Sequence, residues 1–229
     1  MKPRKTFYTE AAYAAGIAIL ALGTALMECA NFGMSMVVAP AYLIHLKLSQ
    51  VLPFFSFGMA EYALQAVLLI ALALVIGRFK RGYLFSFVTA VVYGFALDGA
   101  IALIGLLPGG GMANRAACYA AGLAAGSMGV SLLFHTYLPP EAYELFVTEL
   151  SKRLGTDVSR TKTAYDLCSC AVSIALSFAF FGFGHFEGVK LGTVLCALVN
   201  GWLIGRINRL LEHRFEFRDA LPWRKAFTR

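Results

Sequence analysis

Six apolar runs, separated by charged, proline- or glycine-rich breaks, constrain this chain more than any other feature. They cover residues 11–30, 53–77, 83–107, 116–137, 163–183 and 188–208. A membrane-crossing helix needs about 20 mostly apolar residues. Each run supplies that length, and the longer ones can tilt. The chain is 59% hydrophobic and 14% charged, against about 45–50% and about 25% for soluble domains. This excludes a disordered chain, a coiled coil and a soluble enzyme domain. It predicts an all-α integral membrane protein with six transmembrane helices in a single membrane domain spanning 1–229. The basic start Met1-Lys2-Pro3-Arg4-Lys5 precedes a run with no clean A-x-A cleavage site, so a retained first helix is expected there.

The basic residues set the topology. With the N-terminus in the cytoplasm, seventeen Lys and Arg fall inside, and only Lys47, Arg115 and Lys190 fall outside. That asymmetry predicts both termini in the cytoplasm, an even number of spans and a multi-pass cell (inner) membrane location. The net charge of +7 therefore reads as orientation and not as nucleic-acid binding. Residues 209–229 interleave arginines with Phe215, Phe217, Trp223 and Phe227, a basic-aromatic cytoplasmic tail suited to anionic membrane lipid.

Two segments are neither spans nor ordinary loops. Residues 36–50 are apolar but short. Residues 139–155 open with Pro139-Pro140-Glu141 and close at Gly155, which are helix start and stop signals. Tyr143, Phe146, Leu150 and Leu154 share one face of that helix, so an amphipathic helix on or dipping into the membrane is expected.

The two halves resemble each other. Asn31-x-Gly33-x-Ser35 matches Ser127-x-Gly129-x-Ser131 at an offset of 96, and Pro40-Ala41-Tyr42 matches Pro140 to Tyr143 near 101. Ala60-Glu61-Tyr62 matches Ala164-Tyr165-Asp166 at 104, and Val92-Tyr93-Gly94 matches Val199-Asn200-Gly201 at 107. The expected architecture is a 3+3 inverted repeat, one copy over about 11–107 and the other over about 116–208, each with a short interfacial or re-entrant helix. An odd number of spans per copy inverts the second copy in the membrane, as in many secondary transporters.

The Asn31-x-Gly33-x-Ser35 pattern, the tyrosine-containing segment after it and the helix carrying Gly94 and Asp98 resemble the YczE/YyaS/YitT type of small bacterial membrane protein. The resemblance covers most of the chain. It implies a multi-pass bacterial membrane protein and no particular activity.

Ionisable groups inside spans are costly, about 2.5 to 3.5 kcal/mol for Asp, Lys or Arg at a helix centre, and suggest function by default. Glu28, Glu61, Asp98 and Asp166 qualify. Glu61 lies roughly 12 Å and Asp98 roughly 15 Å from the same membrane side, at about 1.5 Å per helical residue. The two are expected to meet and share a proton. Gln65 follows Glu61 on its face. Tyr62, Tyr165 and Asn200 are candidate ligand-orienting groups, and Asp166 sits one turn from Lys162 as an ion pair. No histidine or cysteine spacing suggests a metal site, and no cofactor is expected.

The expected function is a small secondary transporter that binds a small cation, a coupling proton or sodium at these acids, with no enzymatic activity. Homo-oligomerisation is compatible with this. The alternatives are a substrate-binding subunit of a multi-component transporter or a membrane scaffold. An intramembrane aspartyl enzyme using Asp98 and Asp166 is disfavoured by the absence of GxGD.

Overall fold

The computed structural model describes residues 5–77, 81–106, 110–156, 158–184 and 186–222. Lys2, Arg4, the 78–80 part of the basic break, Pro108-Gly109 and the tail beyond 222 lie outside the described residues. The described chain is all-helical apart from two four-residue strands. These are β1 (Lys5–Tyr8), α1 (Thr9–Ala30), α2 (Ala39–Leu48), α3 (Phe57–Ile76), α4 (Arg81–Ile104), α5 (Met112–Phe134), α6 (Ala142–Leu154), α7 (Val158–Phe181), α8 (Leu191–Arg214) and β2 (Phe215–Arg218). Six of the helices, all but α2 and α6, are long and apolar enough to cross a membrane. That is the construction of a multi-pass membrane protein.

Local signals end the helices where the sequence changes character. The Ser56 hydroxyl accepts from the Met59 N–H at the start of α3, and Gly77, at φ 72°, closes it. Gly155 closes α6 in the same left-handed conformation.

α1 and α5 form the tightest pair. They run antiparallel with their backbones nearly touching. A Cβ on Gly16 would meet the Gly129 carbonyl, and one on Gly23 would strike Gly122 and Gly126. Small residues allow this approach, and dispersion between close backbones replaces the hydrophobic effect that lipid does not supply. Around this pair α1 packs on α4 and α5 on α8, α2 on α3 and α6 on α7, and α2 on α7 and α6 on α3.

β1 pairs in parallel with β2, Lys5 opposite Phe215 and Tyr8 opposite Arg218, so the first and last described elements lie on one face. The Glu10 carboxylate accepts from the Ala220 and Leu221 N–H groups and from the Tyr137 hydroxyl. The expected tail over 209–229 is therefore not free at its start: α8 continues to Arg214. Phe215 and Phe217 pack against Phe7, with ring centroids 5.5 and 5.8 Å apart.

The short helices begin in the middle of the bundle. The Ala142 N–H donates to Gln65 Oε1 at 2.9 Å. Gln65 lies about 12 Å from one end of α3 and about 16 Å from the other, at 1.5 Å per residue. Likewise Ser169, midway along α7, donates to the Met36 carbonyl just before α2. From there α6 runs back to the face that carries the termini. α2 runs to the opposite face, where Lys47 reaches the Phe180 carbonyl. Irregular backbone at this depth must be satisfied by protein. Ser86 and Thr89 of α4 do so for the carbonyls of Pro140 and Pro139.

Two expectations change. Asn31 to Ser35 is the α1–α2 connection, with Asn31 at φ 54° and Gly33 at φ 110°, whereas Ser127 to Ser131 lies inside α5. Their resemblance is one of letters and not of place. The face of α6 also differs. Its buried residues are Ala142, Tyr143, Val147 and Ser151, while Leu154 is exposed. Leu145 and Phe146 pack at the edge of the Leu69, Leu72, Tyr83 and Ala142 cluster, so the buried stripe is shifted around the helix from the expected one.

Candidate functional site

The polar centre forms where the start of α6 meets α3. Glu61, on the second turn of α3, is fully buried, as is Gln65 one turn on. Glu61 Oε1 accepts from the Tyr143 hydroxyl at 2.9 Å and from Gln65 Nε2 at 3.5 Å. The same Gln65 Nε2 donates to Glu141 Oε2 at 3.2 Å. Gln65 therefore bridges two buried carboxyls while its own carbonyl holds the α6 N-terminus. Glu61 Oε2 and Glu141 Oε1 are buried without a hydrogen-bond partner. Such an oxygen forfeits about 1–3 kcal/mol, more if charged, unless a proton or cation supplies what is missing.

Two cavities adjoin this centre. The smaller, about 60 Å³, is lined by Glu61, Glu141, Tyr143 and Glu144, with Thr24 and Tyr93 across it. The larger, about 180 Å³, lies between α7 and α8 against Thr163, Asp166 and Gly201. Val37, Lys162, Asn200 and Ile204 face both. The smaller could hold an ion with a water, given that a water occupies about 30 Å³ in the liquid. Burial pushes the Glu141 carboxyl well above the usual carboxylate range, and the charges of Glu144 and Glu61 push it further. Burial also raises Glu144, while the Lys162 ammonium draws it back.

Of the residues singled out in the sequence, Glu61 and Gln65 form the centre, and Asn200 lines both cavities. Asn200 Oδ1 accepts from Ser127 at 2.8 Å, just as Tyr93 pairs with Thr24 at 2.9 Å. Asp166 lies 3.7 Å from Lys162. Tyr165 packs beside Tyr143 and Phe146, with ring centroids 6.4 and 5.8 Å apart. Tyr62 lies against Gly94 and not on the cavities.

Asp98 does not join Glu61. Its carboxylate takes the Ser56 hydroxyl and the Gly58 N–H, the latter at 2.8 Å, and so fastens the start of α3 to α4. The expected match in depth fails: Gly58 lies opposite Gly94, so Asp98 falls level with Ser56 and Gly58 at the start of α3, short of Glu61.

The signature residues have structural partners. The Asn31 side chain accepts from Lys190 at 2.6 Å. Gly33 lies against Thr193, where a Cβ would not fit, and Gly129 against Gly16. The Ser35 carbonyl accepts from Val38 and Ala39. Ser131 donates to the carbonyl of Ser127.

Sequence reasoning missed Glu141, Glu144 and the cavity-facing role of Lys162. All three lie outside the apolar runs or at their edge, so an inventory of charges within spans passes over them. The available signal was the Pro139-Pro140 pair opening a helix too short to span.

No curated protein and no solved structure matches the chain. The model of a family of unknown function, DUF6198, matches residues 7–209. The chain, with its glutamate centre packed where a half-length helix begins, belongs to the DUF6198 family.

Proposed function

We propose that this protein is a small secondary transporter that takes a monovalent cation or a coupling proton at Glu61 and Glu141 and moves it by alternating access. The observation that carries the reading is the pair of buried carboxyls bridged by Gln65, each with an unpartnered oxygen beside a cavity. Two ionised carboxyls in such a place repel one another and lose hydration. Uptake of one cation or proton relieves both penalties, and its release restores them. That is the behaviour of a reversible site.

The inverted repeat belongs to the same proposal. Exchanging α1 with α5, α2 with α6, α3 with α7 and α4 with α8 maps the main packing pairs onto one another except α3–α4, which has no comparably packed counterpart, and the lesser contact of α4 with α6. The matched hydrogen bonds Thr24–Tyr93 and Ser127–Asn200 follow the same exchange. α2 and α6 are then the re-entrant half-helices of the two copies, with their starts converging on the site. The face joining both termini carries the excess of Lys and Arg and is read as cytoplasmic. The resemblance to YczE/YyaS/YitT-type proteins fits this architecture.

The test is flux in proteoliposomes loaded with a pH-sensitive dye and challenged with sodium or methylammonium gradients. Wild type should move protons in response to one of these gradients, and Glu61→Gln should abolish the movement while retaining the wild-type fold and melting behaviour. Absence of gradient-driven movement in wild type, or full activity in Glu61→Gln, would overturn the reading.

A further inference from the structure

Among the described residues Lys162 is the one basic side chain that lines the two cavities. It sits near the start of α7 at their junction, with Glu61, Glu141 and Glu144 on one side and Asp166 on the other. Among the described residues the remaining ionisable groups around it are the phenols of Tyr93, Tyr143 and Tyr165 and the Cys196 thiol. At 3.7 Å its ammonium is loosely held by Asp166, whereas a committed charge-assisted hydrogen bond closes to about 2.7–2.9 Å. Its flexible four-carbon stem can redirect a compact ammonium between neighbouring carboxyls. In volume and charge, that ammonium resembles the cation the smaller cavity could admit.

We infer that Lys162 is a tethered competitor for the cation site: its ammonium turns to the glutamates when the site is empty, and an incoming monovalent cation, of the size of sodium or a primary ammonium, displaces it to Asp166. This rests on the cation-transport reading above and adds to it a substrate class and a residue that keeps the empty site neutral. A site that is always occupied, by substrate or by Lys162, does not cross the membrane carrying bare buried charge, which would be costly.

Thermal unfolding of the purified, detergent-solubilised full chain tests this, using sodium chloride and methylammonium chloride as the probes at matched ionic strength. Lys162→Met should melt at a lower temperature than wild type. Adding Glu144→Gln should recover most of the loss, because it removes one of the unneutralised acids. Methylammonium or sodium should stabilise Lys162→Met with a half-saturating concentration at least ten-fold below that of wild type, and Lys162→Gln should behave in the same way if the Met variant does not accumulate. Glu61→Gln should not respond to either cation.

Failure of Glu144→Gln to recover stability would overturn the inference, since Lys162 then neutralises nothing there. An unchanged half-saturating concentration would also overturn it, since Lys162 then does not compete. In both cases a wild-type cation response lost in Glu61→Gln leaves the transport reading standing. No cation response in any variant removes the transport reading and the inference together.

Discussion

The α3–α4 seam and the α7–α8 seam, which the proposed repeat would equate, differ: one is shut and the other open. Along α3–α4, Gly58 and Gly94 lie so close that a Cβ on either would strike the other's backbone. Asp98 clamps the end of that seam through Ser56 and Gly58. α7 and α8 hardly touch along their length. Gly201 has open space beside it, and Lys162, Asp166 and Asn200 face the cavity of about 180 Å³. Whether a seam closes or leaves a cavity is set by small differences in side chain. A pair of glycines and a capping acid close one seam. A lysine with no such clamp leaves the other apart.

The largest expected effect is at the closed seam. Gly58→Leu drives a side chain into the Gly94 carbonyl and should destabilise the protein by about 3 kcal/mol, the upper range for overpacking. A melting temperature close to wild type would show that the seam can yield, and that its tightness is not what closes it.

Asp98→Ala comes next. It removes a carboxylate that accepts from one hydroxyl and one backbone N–H, for a loss of about 2 kcal/mol. Since Asp98 holds the seam and does not line the cavities, the half-saturating cation concentration of the surviving fold should stay unchanged. A large shift in that concentration would return Asp98 to the binding site.

A third test uses pH. Burial raises the carboxyls of Glu141 and Glu144, so the folded protein keeps their protons at a pH where the unfolded chain has released them. The stability this gives is complete below the ordinary carboxylate range. It is lost as pH rises through the raised values, by at most about 1.4 kcal/mol per group for each pH unit crossed. Melting temperature should therefore fall on that rise, and Glu141→Gln should flatten the dependence. Identical pH profiles for the two proteins would take Glu141 out of the account.

The smallest effect is expected at the open seam. Gly201→Ala enters empty space and should change stability by less than about 0.5 kcal/mol, whereas Gly94→Ala, the matching change across the closed seam, should be clearly destabilising. Equal losses would erase the distinction between the seams.

The sequence by itself determined the six long helices and the two short ones, because apolar run length and helix stop signals are local properties. α3 ends at Gly77 and α6 at Gly155 as their residues direct. It also singled out Glu61 and Gln65, since an acid followed by an amide one turn later within an apolar run is visible without a fold. Tertiary structure alone decided the rest. Glu141 and Glu144 enter the centre because α6 begins at mid-depth, and Tyr143, not the Leu150–Leu154 end of the expected apolar stripe, turns inward. Asp98 became a clamp because the register of α3 against α4 sets it level with Ser56 and Gly58. The close approach of Gly23 to Gly122 and Gly126 emerges only when α1 and α5 are seen side by side. Each of these depends on which faces of distant helices meet, a choice set by close backbone packing and hydrogen-bond satisfaction in a medium where apolar surface gains little from being inside.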